Sequence, residues 1–158
     1  MRILVLSDSH NNVLALRKIV SRHGDINHIF FLGDVTGDIE KIKQEFSDKK
    51  YYIVSGNCDF NCPYPQSDIV TIENTRIYYC HGHKHMVKYT DENIIATARI
   101  NNCKLALFGH THKSLCRYED GIYIVNPGSV SLSREGANSY AVIDITNQGI
   151  MPNIITLK

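Results

Sequence analysis

Short apolar runs recur along this chain, none longer than four residues, and five of them stop within a few residues of a carboxylate, a carboxamide or an imidazole. Ile3–Leu6 leads to Asp8 and His10, and Ile29–Leu32 leads to Gly33-Asp34. Tyr51–Val54 leads to Gly56-Asn57, Ile77–Cys80 to His81-Gly82-His83, and Leu105–Phe108 to Gly109-His110-Thr111-His112. Runs this short, closed by turn residues, read as buried strands. Helical spacing separates the first three. Val13, Leu16 and Val20 mark a helix from about Asn11 or Asn12 to Gly24, and Ile39, Ile42 and Phe46 mark a second. A β-α-β-α-β opening argues for a parallel sheet covered by helices, hence an α/β fold class.

The second half reads differently. Residues 60–67 form a proline-bearing loop, and Ile69–Ile72 and Ile77–Cys80 flank Asn74-Thr75 as a hairpin. Thr90 is placed to cap a helix reaching about residue 100. Beyond it, Leu115–Tyr118, Ile122–Val125, Tyr140–Ile145 and Ile154–Leu157 read as strands, with glycines near the breaks. At 158 residues, with no linker or repeat, one domain over 1–158 is expected.

Composition narrows the function classes. Seventeen Lys and Arg against 16 Asp and Glu give a formal charge of +1, so no global field draws nucleic acid or anionic membrane. No run approaches the roughly 20 apolar residues of a membrane helix, and the N-terminus lacks a signal-peptide core, which predicts a soluble, unexported chain. Five cysteines without a CxxC predict a reducing, cytoplasmic setting rather than a disulfide framework or a zinc site. Histidine stands out: six of the eight fall in three short clusters.

Ligands in open α/β sheets sit outside the carboxyl ends of strands, where all five polar motifs lie. In extended backbone, residues i and i+2 share a side, so Asp8 with His10, and His110 with His112, are expected to face one ion. Glycines 33, 56, 82 and 109 remove Cβ bulk beside a crowded centre. The donor set is imidazole, carboxylate and amide without thiolate, which suits Mn, Fe, Co, Ni or Zn over Mg or Ca. Seven candidate ligands (Asp8, His10, Asp34, Asn57, His81, His110, His112) exceed one four-coordinate ion and suit two ions sharing a carboxylate. Such a site stays positive with two aspartates and a hydroxide, and so attracts a phosphate ester.

The ordered series Asp-Ser-His (8–10), Gly-Asp-Val-Thr-Gly-Asp (33–38), Gly-Asn-Cys-Asp (56–59), His-Gly-His (81–83) and Gly-His-Thr-His (109–112) resembles the calcineurin-like metallophosphoesterases. Length and Asn-Pro-Gly-Ser at 126–129 point to the small YfcE-like phosphodiesterase branch. The resemblance implies a four-layer α/β-β/α sandwich and two divalent transition ions, manganese first. It implies Asp8, His10 and His112 on one ion, Asn57, His81 and His110 on the other, and Asp34 bridging. The implied reaction is attack of a metal-bridging hydroxide on a phosphodiester. A homodimer or homotetramer is compatible with the family.

Many relatives carry His after Gly-Asn, where Cys58 stands here, and a neutral thiol is a poor general acid. His83 is then the candidate to protonate the leaving group, beside metal-bound water. Asp59 is expected to orient a ligand, Asp38 to cap the following helix, and Asn126–Ser129 to form a turn or a backbone wall near the phosphate. Arg134 reads as a loop charge within reach of a phosphate. His85 reads as a surface residue, His23 and His28 as non-catalytic, and the strand tyrosines as packing. Two other functions fit the same residues: a retromer-subunit-like scaffold that keeps the ligands, and a phosphomonoesterase or nuclease on the same metals.

Overall fold

Ile3, Leu4, Val5 and Leu6 are all fully buried, so the first strand must be covered on both faces. The computed structural model describes residues 1–157 and shows how. Strand β1 (Arg2–Leu6) sits at the centre of a five-stranded sheet. On one side β2 (His28–Phe31) pairs with it in parallel and β3 (Lys50–Ile53) adds in parallel to β2. On the other, β9 (Ser139–Thr146) runs antiparallel with Ile3 opposite Ile143, and β10 (Gly149–Thr156) pairs antiparallel with β9 at the edge. Helices α1 (Val13–Arg22) and α2 (Thr36–Glu45) are the crossovers between the parallel strands.

A second sheet is ordered β4-β5-β6-β8-β7. It contains β4 (Ser67–Ile72), β5 (Thr75–Cys80), β6 (Leu105–Leu107), β7 (Ser114–Glu119) and β8 (Ile122–Pro127). Here β5, β6 and β8 are parallel, α3 (Glu92–Ile100) connects β5 to β6, and β4 and β7 close the edges antiparallel.

Strand alternation then sorts the side chains into three apolar layers. Ile3, Val5, Phe30 and Leu32 meet Ile77, Leu105, Leu107 and Val125 between the sheets. On the far side of the first sheet, Leu4, Leu6, Ile29 and Phe31 pack on Leu16, Ile19 and Val20 of α1 and Ile39 and Ile42 of α2. Beyond the second sheet, Tyr78, Cys80, Ala106 and Phe108 pack on Ile94, Ile95 and Ala98 of α3. Three layers of core make four layers of structure, the α/β-β/α sandwich. The tyrosines are packing residues, as their setting suggests: Tyr52 stacks on Phe30 and Tyr79 meets it edge-on.

Several local expectations change. β10 (Gly149–Thr156) starts well before Ile154 and accommodates Pro152 because it lies at the sheet edge. The residue before α3 is Asp91 rather than Thr90, although the Thr90 hydroxyl accepts from Glu92 N at 3.2 Å. Asp38 does not cap α2. It lies inside the first turn, fully buried, and accepts from Ser9 Oγ and Asn11 N, both at 2.8 Å, so it fastens the loop after β1. His85 is half-buried, with Nε2 2.6 Å from the Tyr78 hydroxyl. Among the described residues, no helix is long and apolar enough to cross a membrane.

Candidate metal centre

The polar motifs converge where the carboxyl ends of β1, β2, β3, β5 and β6 meet, so both sheets contribute. The route differs from extended alternation. Asp8, His10, Asp34, His110 and His112 have φ of 55, 44, 62, 67 and 58°, in the left-handed region. Each such residue costs about 1–2 kcal/mol relative to ordinary backbone. Non-glycine residues held there cluster where surrounding structure over-determines them, typically at functional sites.

That structure is visible. Asn126 Nδ2 donates to Gly109 O at 2.9 Å and to Thr111 Oγ1 at 3.0 Å. Ser129 Oγ donates to Asp8 O at 2.8 Å, and Val130 N to Ser7 O at 3.2 Å. Asp8 N donates to Gly33 O, and Gly109 N to His81 O, both at 3.0 Å. The 126–129 segment is therefore a buried clamp on the ligand loops. Glycine is demanded by close approach at 56 and 109. A Cβ on Gly56 would collide with the Asp34 carboxylate, and one on Gly109 with Ser7 Oγ and Asp8 Oδ2.

Two groupings of ligand atoms result, and Asp34 belongs to both. Asp8, His10, Asp34 and His112 bring one donor each within 4.8 Å of one another, as do Asp34, His81 and His110. In the first, His112 Nε2 lies 3.1 Å from Asp8 Oδ1 and 3.2 Å from His10 Nε2, which is 3.8 Å from Asp34 Oδ2. In the second, His81 Nε2 lies 3.5 Å from Asp34 Oδ1, 3.1 Å from His110 Nδ1 and 3.1 Å from Asn57 Oδ1. Donors about 2.1 Å from a common ion sit roughly 3.0–3.4 Å apart, the spacing of most of these pairs.

The histidine tautomers fit the same purpose. His81 Nδ1 lies 2.6 Å from Leu32 O and His112 Nδ1 lies 2.7 Å from Leu132 O, so those nitrogens carry the protons and Nε2 faces the site. Lone pairs and carboxylate oxygens then crowd one another with too few protons between them. Asp8 shows it most directly: Oδ2 accepts from Ser7 Oγ and from His110 N, while buried Oδ1 makes no hydrogen bond of its own. An unpartnered buried carboxylate oxygen beside imidazole nitrogens is the arrangement a cation satisfies. The residues present fit a pair of divalent ions.

The electrostatics agree. Burial pushes the Asp8 carboxyl up, but the facing His112 and His81 imidazoles and the Ser7 hydroxyl together hold it below its ordinary value. Asp8 in turn raises His112 against the effect of burial. His110 is pushed down to about 4 by burial and by His81, which keeps it neutral and able to donate a lone pair. Burial and the Asp34 charge raise the Cys58 thiol to about 11.

Around the ligands, Asp59 is the main organiser. Its carboxylate accepts from Asp34 N at 2.9 Å, Thr36 N at 2.6 Å, Thr36 Oγ1 at 3.0 Å and Gly56 N at 2.8 Å. His83 lies outside both groupings, its ring 5.4 Å from that of His81 and 6.1 Å from that of His110, with Nδ1 buried and unpartnered. Cys58 N donates to Asp34 Oδ1 at 2.9 Å, and the residue is exposed overall although its thiol is partly desolvated. His23 and His28 lie elsewhere, paired with Tyr140 and Tyr52 hydroxyls. The supporting residues Ser7, Ser9 and Asp38 had no sequence signal as site residues, and Asn126 and Ser129 were visible only as a motif of undecided role.

Comparison with known proteins accords with this geometry. The model of the calcineurin-like phosphoesterase superfamily domain matches residues 1–148. The chain is 30% identical to the probable metallophosphoesterase YsnB of Bacillus subtilis, over 93% of this chain and 86% of that protein. It is 29% identical to vacuolar protein sorting-associated protein 29 of Schizosaccharomyces pombe, over 85% of this chain and 69% of the other. A conserved uncharacterized protein of Streptococcus pneumoniae, a predicted phosphoesterase, superposes with a TM-score of 0.84 at 26% identity, covering 98% and 88% of the two chains. The phosphoesterase YfcE of E. coli shares the fold, with a TM-score of 0.72 at 22% identity over the whole of both chains. With its ligand groupings, its four layers and a family match along nearly its whole length, the chain belongs to the calcineurin-like phosphoesterase superfamily.

Proposed function

We propose that the whole chain is one catalytic domain, a metal-dependent phosphodiesterase whose two divalent transition ions are manganese or a close substitute (Ni, Fe, Co or Zn). The observation that carries this reading is Asp34, whose Oδ2 faces His10 and whose Oδ1 faces His81. Asp8, His10 and His112 would hold one ion, Asn57, His81 and His110 the other, and Asp34 both. When bound, such a pair supplies positive charge for a phosphate ester and activates water as an in-line nucleophile near neutral pH.

The chain's own residues prepare that chemistry. Leu32 O and Leu132 O fix the tautomers of His81 and His112, and Asp59 fixes the backbone that presents Asp34. Cys58 stays a neutral thiol and is poorly suited to protonate a leaving alcohol. His83, half-buried beside the second grouping with a free ring nitrogen, is assigned that proton. Five free cysteines favour a reducing, cytoplasmic setting.

The test is hydrolysis of aryl phosphodiesters and monoesters by chelated protein reconstituted separately with manganese, nickel, zinc and magnesium. Metal-restored turnover, faster on the diester, is expected. Restored turnover confined to monoesters would refute the diester assignment. The likeness to the fission-yeast sorting protein favours a second reading, a scaffold that keeps the ligand set. Two bound ions per chain with no turnover on any ester would select it.

A further inference from the structure

A cleft of about 520 Å³ adjoins the metal centre along the loop that carries His110 and His112. Thr111, between those two ligands, lines it, and so does Arg134, whose backbone N donates to His112 O at 3.0 Å. The volume falls in the range of small-molecule sites, roughly 300–1,000 Å³. Its floor is apolar, with Val87 and Phe108 buried, and Tyr89, 84% exposed, offers an aromatic ring at its side.

The charge in this cleft is unbalanced. Lys88, Lys113 and Arg134 line it, and among the described residues none of them has a carboxylate partner. Of the two acidic residues there, Asp91 is already paired with Arg117 Nη2 at 2.8 Å, which leaves Glu135 alone against three cations. Three exposed cations above an apolar floor beside an aromatic ring suit a flat organic body carrying its own anionic group.

We propose that this cleft receives the non-reacting arm of the phosphodiester, and that Lys88, Lys113 and Arg134 select an arm with a second phosphate on an aromatic or nucleoside body. The inference rests on the phosphodiesterase reading for its orientation, since the cleft and the metal centre share the 109–113 loop. The three cations are specificity residues. They bind the arm and take no part in the chemistry.

The experiment compares two substrates with the same reacting diester on the manganese-loaded full chain: thymidine 5′-(p-nitrophenyl phosphate) with and without a 3′-phosphate. The bisphosphorylated compound is expected to show a KM about tenfold lower, an advantage that shrinks as salt is raised. The K88Q/K113Q/R134Q variant, with its melting temperature as the fold control, is expected to bring the ratio of the two KM values close to one. Equal KM values in the parent protein, or a ratio unmoved in the variant, would overturn the assignment.

If neither diester turns over with any metal, the phosphodiesterase reading fails while the cleft is still tested. Calorimetric binding of thymidine 3′,5′-bisphosphate to the metal-free protein, lost in the variant, would then support the cleft as an anionic-aryl site. No binding by the parent chain would refute it.

Discussion

Asp59 illustrates how much one side chain outside the ligand groupings can control. Four donors converge on its carboxylate, from Asp34 N, Thr36 N, Thr36 Oγ1 and Gly56 N. Asn in its place keeps the size but loses the charge and half the acceptor capacity. Hydrogen bonds to a charged group are worth about 1.5–3 kcal/mol each, so Asp59→Asn is expected to cost about 2 kcal/mol in chemical denaturation. Metal affinity should fall about 10- to 100-fold, as for other groups that orient a ligand. Unchanged metal affinity would show that Asp34 does not depend on this support. His23 gives a residue-scale prediction in pH. Burial lowers its folded pKa below 6.5, and Nε2 sits 2.9 Å from the Tyr140 hydroxyl. Between the two pKa values the unfolded chain binds more protons, so this contribution is full above about pH 6.5 and is lost as pH falls below it. The stability advantage of the parent over His23→Gln, in metal-free protein, should therefore narrow between pH 7.5 and 5. An advantage that widens would reverse the sign and refute the burial argument.

The elements matter through their ends. Each ligand lies just past a strand, on backbone turned left-handed at Asp8, His10, Asp34, His110 and His112 and braced by Asn126 and Ser129. Gly109 is the tightest of these junctions, with no room for a Cβ beside Ser7 and Asp8. Gly109→Ala is expected to destabilise the fold by about 2 kcal/mol through overpacking and to weaken metal binding more than the same substitution at exposed Gly37, where a Cβ meets nothing. Equal effects at the two glycines, read by melting temperature and metal titration, would contradict the close approach. Most of the elements were legible beforehand because apolar runs such as Ile3–Leu6 and the Val13-Leu16-Val20 spacing record burial directly. The ligand positions were legible because strand ends and chelating residues coincide in the sequence. The backbone that delivers them was not. Alternation describes extended chain, whereas Asp8-Ser9-His10 is curled, and its curl depends on Asp38 and Ser129 from distant parts of the chain. Asp38 itself looked like a cap because its burial by Ser9 and Asn11 is a tertiary fact.

At the scale of the molecule, the centre exists because two sheets stack. Asp8, Asp34 and Asn57 come from ends of the first sheet, and His81, His110 and His112 from ends of the second. The inter-sheet layer of Ile3, Val5, Leu105, Leu107 and Val125 sets their registration. Asp34 is the one carboxylate that both ligand groupings share, and the account depends on it more than on any other residue. The most direct test counts metal ions per chain by elemental analysis, in parallel with aryl phosphodiester hydrolysis, in the parent protein and in Asp34→Asn after manganese loading. Two ions per chain with turnover are expected in the parent. At most one ion, with turnover reduced at least about 100-fold, is expected in the variant. A parent that binds a single ion, or a variant that keeps two ions and full turnover, would contradict a centre built on a shared aspartate.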